Sequence, residues 1–149
     1  MPLLHASVAL GIAEATVEDL VQLAKGGKRQ ERASLPMRES EIFRSELARI
    51  EGDLRAASAY HQKQSESHWR RALAGTSDDD RLLMDGIQST VWVTATCVDV
   101  AAACFALAGS SAIYESSPFQ RRMRDLHVAA QHITVQQRRY VDIGAVRLS

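Results

Sequence analysis

The sequence predicts an all-α protein, an antiparallel up-down four-helix bundle, on three observations. Apolar residues recur at helical spacing in long runs, and each run is bounded by recognisable start and stop residues. No segment alternates with the period of a strand, and the β-branched residues between Val91 and Val100 lie in a capped run too long for one. The links are short, which places consecutive helices antiparallel. A chain of 149 residues suits one domain with a real core.

The first helix is expected from Pro2 to Ala24. Leu4, Val8, Ile12, Ala15, Leu20, Leu23 and Ala24 mark its apolar side, and Lys25-Gly26-Gly27 supplies a cationic last turn and a C′ glycine. Gly11 and Ala15, one turn apart, predict close approach of another helix. Lys28 to Met37 is polar, holds Pro36, and reads as the first connection. A second, long helix runs from about Ser40 to Ala74, with Phe43, Leu47, Ile50, Leu54 and Ala57 spaced alternately four and three apart. That seam continues into His61, Gln64 and His68, where the helix either outruns its neighbours or reaches a subunit contact. A metal site there is the alternative, but the two histidines are two turns apart and no carboxylate joins them.

Gly75 ends the second helix and Ser77 begins the third, with Asp78, Asp79 and Asp80 in its first turn, where anions suit the helix dipole. The third helix reaches Ala108 and is apolar nearly all round from Val91, the mark of a central helix. After a small-residue loop, Ser117, Pro118 and Gln120 form a capping-box signal for the fourth helix. This segment offers Phe119, Met123, Leu126, Ala130 and Ile133 to a core. It also carries Arg121, Arg122, Arg124, Asp125, His127, Gln131 and His132, a density of hydrogen-bonding groups that suggests recognition. A break is expected near Thr134, with a last helical segment from Gln136 to Arg147.

Charge is balanced, with 18 basic and 18 acidic residues and no basic stripe, so nucleic acid is not an expected partner. Cys97 and Cys104 lie about 10.5 Å apart along one helix, too far for a disulfide. Buried thiols in a reducing, cytoplasmic compartment are the expectation. No signal-peptide pattern opens the chain. Thr90 to Gly109 could span a membrane by length, but Asp99 and its many small residues favour a buried helix. P-loop, G-x-S-x-G, C-x-x-C and H-E-x-x-H motifs are all missing from the sequence.

The stretch GSSAIYESSPFQRRMRDLHVAAQHI, with YVDIGAVRL after it, resembles the C-terminal domain of the acyl-CoA dehydrogenase-like flavoproteins. It is most similar to their flavin-dependent monooxygenase branch, in which a GGS-x-x-Y loop, an RD-x-H step and a second histidine five residues on recur together. LGIAEATVEDLVQLAK and SEIFRSELARIEGDLRAA look like the first two helices of that domain. The resemblance implies FAD or FMN as the cofactor of the complete enzyme and self-association as a dimer or tetramer. It gives His132 a position near the flavin ring, where imidazole can hydrogen-bond flavin or substrate. Gly109, Ser110 and Ser111 match the loop that approaches flavin or its phosphate in a neighbouring subunit, with Ala108 where relatives often carry glycine. Arg32 is the best match for an arginine reaching that phosphate, with Arg29 as the alternative. Arg124 and Asp125 take a structural role, tying their helix to the bundle.

Complete members of that family also carry an N-terminal helical domain and a middle β-domain. Residues 1–149 are therefore expected to be the single C-terminal bundle domain, either a fragment or a freestanding reading frame, inactive alone and not binding flavin by itself. The missing domains would then come from another chain. An acyl-CoA dehydrogenase fragment is a second reading, but no glutamate lies near Tyr140-Val141-Asp142 to act as its base. A non-catalytic, self-associating bundle is the third.

Overall fold

The computed structural model describes residues 2–30 and 33–148. Five α-helices follow one another: α1 (Pro2–Lys25), α2 (Glu41–Leu73), α3 (Asp80–Ala108), α4 (Pro118–Ala129) and α5 (Arg139–Leu148). Short 3-10 turns occupy Met37–Glu39 and Gly109–Ala112, and no strand occurs among the described residues. The all-α bundle expected from the sequence is the fold observed. Helix α3 is its centre, packed against α1, α2, α4 and α5.

Helix α1 lies against α3 through small side chains. Ala6, Ala9, Ala13, Val17, Leu20 and Ala24 are buried, whereas Leu4 and Val8, expected to face inward, are 68% and 61% exposed. A strip of alanines lets two backbones approach more closely than leucine and valine would, and dense contact outweighs the larger residues' area. Gly11 faces solvent, with no atom within 4 Å of where a Cβ would stand. The close approach is therefore the alanines' work, not that of Gly11 and Ala15.

Helix α2 begins where expected. Ser40 Oγ accepts from the Phe43 amide at 3.3 Å, and Phe43, Ile50, Leu54 and Ala57 are buried, with Leu47 half-buried. The polar continuation of the seam does not outrun the bundle. His61 is half-buried and its Nε2 lies 2.9 Å from Ser7 Oγ on α1, while His68 rests on Gly86 of α3. Burial pushes the His61 imidazole below its ordinary value. No group of three or more His, Cys, Asp or Glu able to hold a metal occurs among the described residues.

The third helix starts at Asp79, not Ser77. Asp79 Oδ1 accepts from the amides of Arg81 (2.9 Å) and Leu82 (3.3 Å), and Arg71 Nη2 donates to Oδ2 at 2.6 Å. A carboxylate facing both the free amides and a guanidinium outcompetes a serine two residues earlier. From Gly86 onward α3 buries Ile87, Val91, Val93, Cys97, Val100 and Cys104. It is long and apolar enough to cross a membrane, yet four helices cover it and Asp99 reaches the surface, which makes it a core helix. Both thiols are free, and burial pushes each up to about 12.

Two expectations fail around α4. Ser117 has the extended backbone of an N-cap and Pro118 occupies the first turn, but the Ser117 hydroxyl caps nothing and Gln120 is exposed. The capping box does not form; the tight turn closed by Ser117 N–H on the Tyr114 carbonyl (2.8 Å) and the proline set the start instead. The helix also stops at Ala129, before His132. Helix α5 lies on α3 and buries no residue completely.

Candidate functional site

Two clusters carry the polar groups singled out in the sequence, one at each end of α4. At its C-terminal end the chain leaves the helix through a turn over residues 130–138 that holds His132. His132 is thus off the helix, although the sequence, with its break expected near Thr134, placed it on the helix with Asp125. Its ring is instead braced by residues distant in sequence. The His5 ring, at the start of α1, lies 5.2 Å from it at 32°, and His5 Nε2 donates to the Ala129 carbonyl at 3.0 Å.

The other face of the His132 ring system is set by Thr134. The Thr134 backbone amide points at His132 Nδ1 (3.4 Å), and its Oγ1 lies 2.8 Å from the same nitrogen. A backbone N–H can only donate, so Nδ1 holds the lone pair and the hydroxyl donates to it as well. The ring proton then sits on Nε2. Nε2 has no protein partner among the described residues, and His132 is exposed. In its neutral form the ring of this turn thus presents an Nε2–H without a protein partner among the described residues.

At the N-terminal end of α4 lies the Gly109–Ala112 turn. Gly109 has φ +59° and ψ −140°, a conformation that favours glycine, and it lets the chain leave α3 sharply. Ser110 is exposed, while Ser111 Oγ is buried without a partner. Ser111 lines a cavity of about 390 Å³ with Asp19, Lys28, Tyr114, Ser117 and Phe119. Ser117 Oγ is also unpartnered, and no side chain caps the first turn of α4. Two idle hydroxyls, uncapped helix amides and Lys28 make a cradle whose chemistry suits a phosphate. Gln30 Nε2 donates to the Leu107 carbonyl at 2.9 Å, which brings the α1–α2 connection to the same end. Arg32 lies outside the described residues; Arg29 is exposed.

The two clusters do not meet. The 12 residues of α4 separate them by roughly 18 Å. Arg124 and Asp125 do not anchor α4 either: both are exposed and form no ion pair among the described residues. That work falls to Arg122, whose guanidinium bonds the Ala15 carbonyl and the Asp19 carboxylate on α1. His5, Lys28 and Thr134 were not singled out by sequence. His5 and Ala129 stand 124 positions apart, so no periodicity could pair them, although Thr134 two residues after His132 fits a local side-chain turn.

Comparison with known proteins matches residues 3–137 to the family described as acyl-CoA dehydrogenase, C-terminal domain. The indole-3-acetate monooxygenase of Pseudomonas putida is 28% identical over 142 residues, covering 93% of this chain and 36% of that one. The indole-3-acetate monooxygenase of Acinetobacter baumannii is 26% identical over 125 residues, covering 84% and 32%. The chain thus spans about a third of the length of the curated relatives it matches. Among solved structures, XiaF from a Streptomyces species, in complex with FADH2 and glycerol, superposes with a TM-score of 0.86. It is 22% identical, and the match covers 91% of this chain and 34% of that one, a likeness of fold.

Proposed function

Because the chain belongs to the acyl-CoA dehydrogenase C-terminal domain family, we propose that it is the helical domain of a flavin-dependent oxidoreductase of the monooxygenase type. The observation that carries the reading is the His132 turn, whose ring is held by His5 and by Thr134 on Nδ1 and so leaves Nε2 without a protein partner among the described residues. A donor fixed in advance costs no reorganisation when charge develops on a nearby oxygen. His132 donates to substrate or cofactor at that point. Both curated relatives being monooxygenases supports this reading over a dehydrogenase. Asp142, the acid of the Tyr140-Val141-Asp142 stretch, is exposed and paired to Arg139 at 3.0 Å.

The cofactor in this proposal is FAD or FMN, which supplies the redox chemistry with oxygen when bound. Gly109, Ser110 and Ser111 face its phosphate, with Arg32 added from the α1–α2 connection. In the family this chain resembles, the matching loop approaches the flavin of a neighbouring subunit, and the roughly 18 Å length of α4 between this cradle and His132 agrees with that arrangement. The N-terminal helical and middle β-domains complete each pocket, and the assembly is a dimer or tetramer in the cytoplasm.

His132→Ala tests the assignment in the assembly that carries all three domains. Turnover is expected to fall by about 10²–10³-fold, the usual cost of one preorganised donor. Flavin affinity, which rests on contacts His132 does not make, stays within about twofold in this reading. Steady-state rates beside a flavin titration read both. Unchanged turnover would make His132 structural.

A further inference from the structure

Tyr60 on α2, Trp92 on α3 and Tyr140 on α5 line one cavity of about 540 Å³, which Ala56 and Gln88 complete. Aromatic residues make up only 5% of the chain, yet rings from three helices converge here. The centroids of the Tyr60 and Trp92 rings are 5.9 Å apart and their planes cross at 61°, so the two form a corner. Tyr140 adds a third wall. The core does not consume these rings: Trp92 is 40% and Tyr140 37% exposed, and α5 buries no residue completely. Burial of a large ring is among the strongest gains open to a folding chain, so three rings left half-open around one cavity mark a place for an occupant.

Charge selects that occupant. The faces of aromatic rings are negative, and a cation within about 6 Å of a ring centroid is attracted to it. With two centroids 5.9 Å apart, one cation in the corner reaches both rings. No lysine or arginine lines the cavity. Burial first, then the Asp85 carboxylate and Tyr140, push the Tyr60 phenol above its ordinary value, so this ring lies in the field of a negative charge. Asp85 stands seven residues before Trp92 on the same stripe of α3 and is exposed, with no ion pair among the described residues. Arg81 is further off, about 16.5 Å along the helix from Trp92. A primary ammonium would surrender water for ring faces that accept its N–H groups poorly. A quaternary ammonium has no N–H to satisfy, and its methyl groups bury apolar surface against the rings.

We infer that the box of Tyr60, Trp92 and Tyr140 binds a small molecule through a quaternary ammonium group. The charged head sits in the corner of the rings with its methyl groups on their faces. The site draws on none of the residues assigned to flavin or oxygen chemistry and stands or falls apart from them.

The test titrates choline chloride, and its uncharged tert-butyl analogue of the same shape, into the isotopically labelled 149-residue chain. The indole N–H resonance of Trp92, assigned by its loss in Trp92→Phe, reports occupancy. Saturable shifts with choline at a roughly millimolar midpoint are expected. The analogue should need at least about five times more, since it lacks the charge that the ring faces attract. Tyr140→Phe keeps the ring and should stay within about twofold of the native chain, whereas Tyr140→Leu keeps apolar bulk only and should raise the midpoint at least about fivefold. Equal affinity for the uncharged analogue would make the box an ordinary apolar cleft and overturn the site. No saturation with choline, or a native midpoint in Tyr140→Leu, would overturn it as well.

Discussion

Gly86 shows how one missing side chain settles a contact between helices. A Cβ placed there would stand 2.5 Å from His68 Nε2, and the three nearest atoms of other elements all belong to that ring. Alanine is better than glycine in a helix by about 1 kcal/mol. In the native chain Gly86→Ala should gain little, because the imidazole must leave a half-buried place to admit the methyl group. In a His68→Ala background the same substitution should stabilise by about 1 kcal/mol. Urea unfolding of the four proteins in this cycle measures the difference, and equal effects in both backgrounds would show that the two residues do not meet. His68 was visible in the sequence as a polar residue on an apolar seam. Its partner was not, since a glycine within a helix announces nothing about which side chain it admits. The same limit applies to His132: its type was legible, but the sequence placed it within the helix that the chain leaves at Ala129. The imidazole of His5 and the hydroxyl of Thr134 that orient it became visible only once the chain had folded.

At the scale of the helix, the start of α3 rests on a single carboxylate. The amide of Leu82 is the largest influence, desolvation opposes it in second place, and the amide of Arg81 with the charge and hydrogen bond of Arg71 leave Asp79 below its ordinary value. A group depressed in the folded state contributes stability above its unfolded value and loses it as pH falls through the folded one. The native chain should therefore lose thermal stability more steeply below about pH 4 than Asp79→Asn does, the ordinary aspartate value being about 3.9. Melting curves from pH 6 to pH 2.5 check this, and parallel declines would remove Asp79 from the cap. Helix existence was readable throughout, because each run carries many apolar residues that must agree. Boundaries were less so: one residue decides each. Three aspartates follow Ser77, and only packing against Arg71 selects among them. At α4, the apolar residues Ala130 and Ile133 extend the helical pattern past Ala129, where the chain actually turns; Ile133 is 57% exposed.

For the molecule as a whole, the alanine strip of α1 leaves Leu4 and Val8 outside, one turn apart on an exposed face. Trp69 and Leu73 are likewise 66% and 72% exposed at the end of α2. Apolar surface of this kind agrees with the proposed self-association. Sedimentation at micromolar concentration should give a dimer or tetramer, and a clean monomer would count against it. The contact between His5 and Ala129 has a kinetic consequence. It joins positions 124 apart, nearly the two limits of the chain, whereas the pairing of α2 with α3 spans one short link. Loop closure grows costlier with every doubling of length, by about 0.6 kcal/mol, so local hairpins of helices form ahead of it. The imidazole turn is accordingly assembled near the end of folding. A contact made that late is mostly absent at the transition state, so loosening it speeds unfolding while leaving the rate of folding almost as it was.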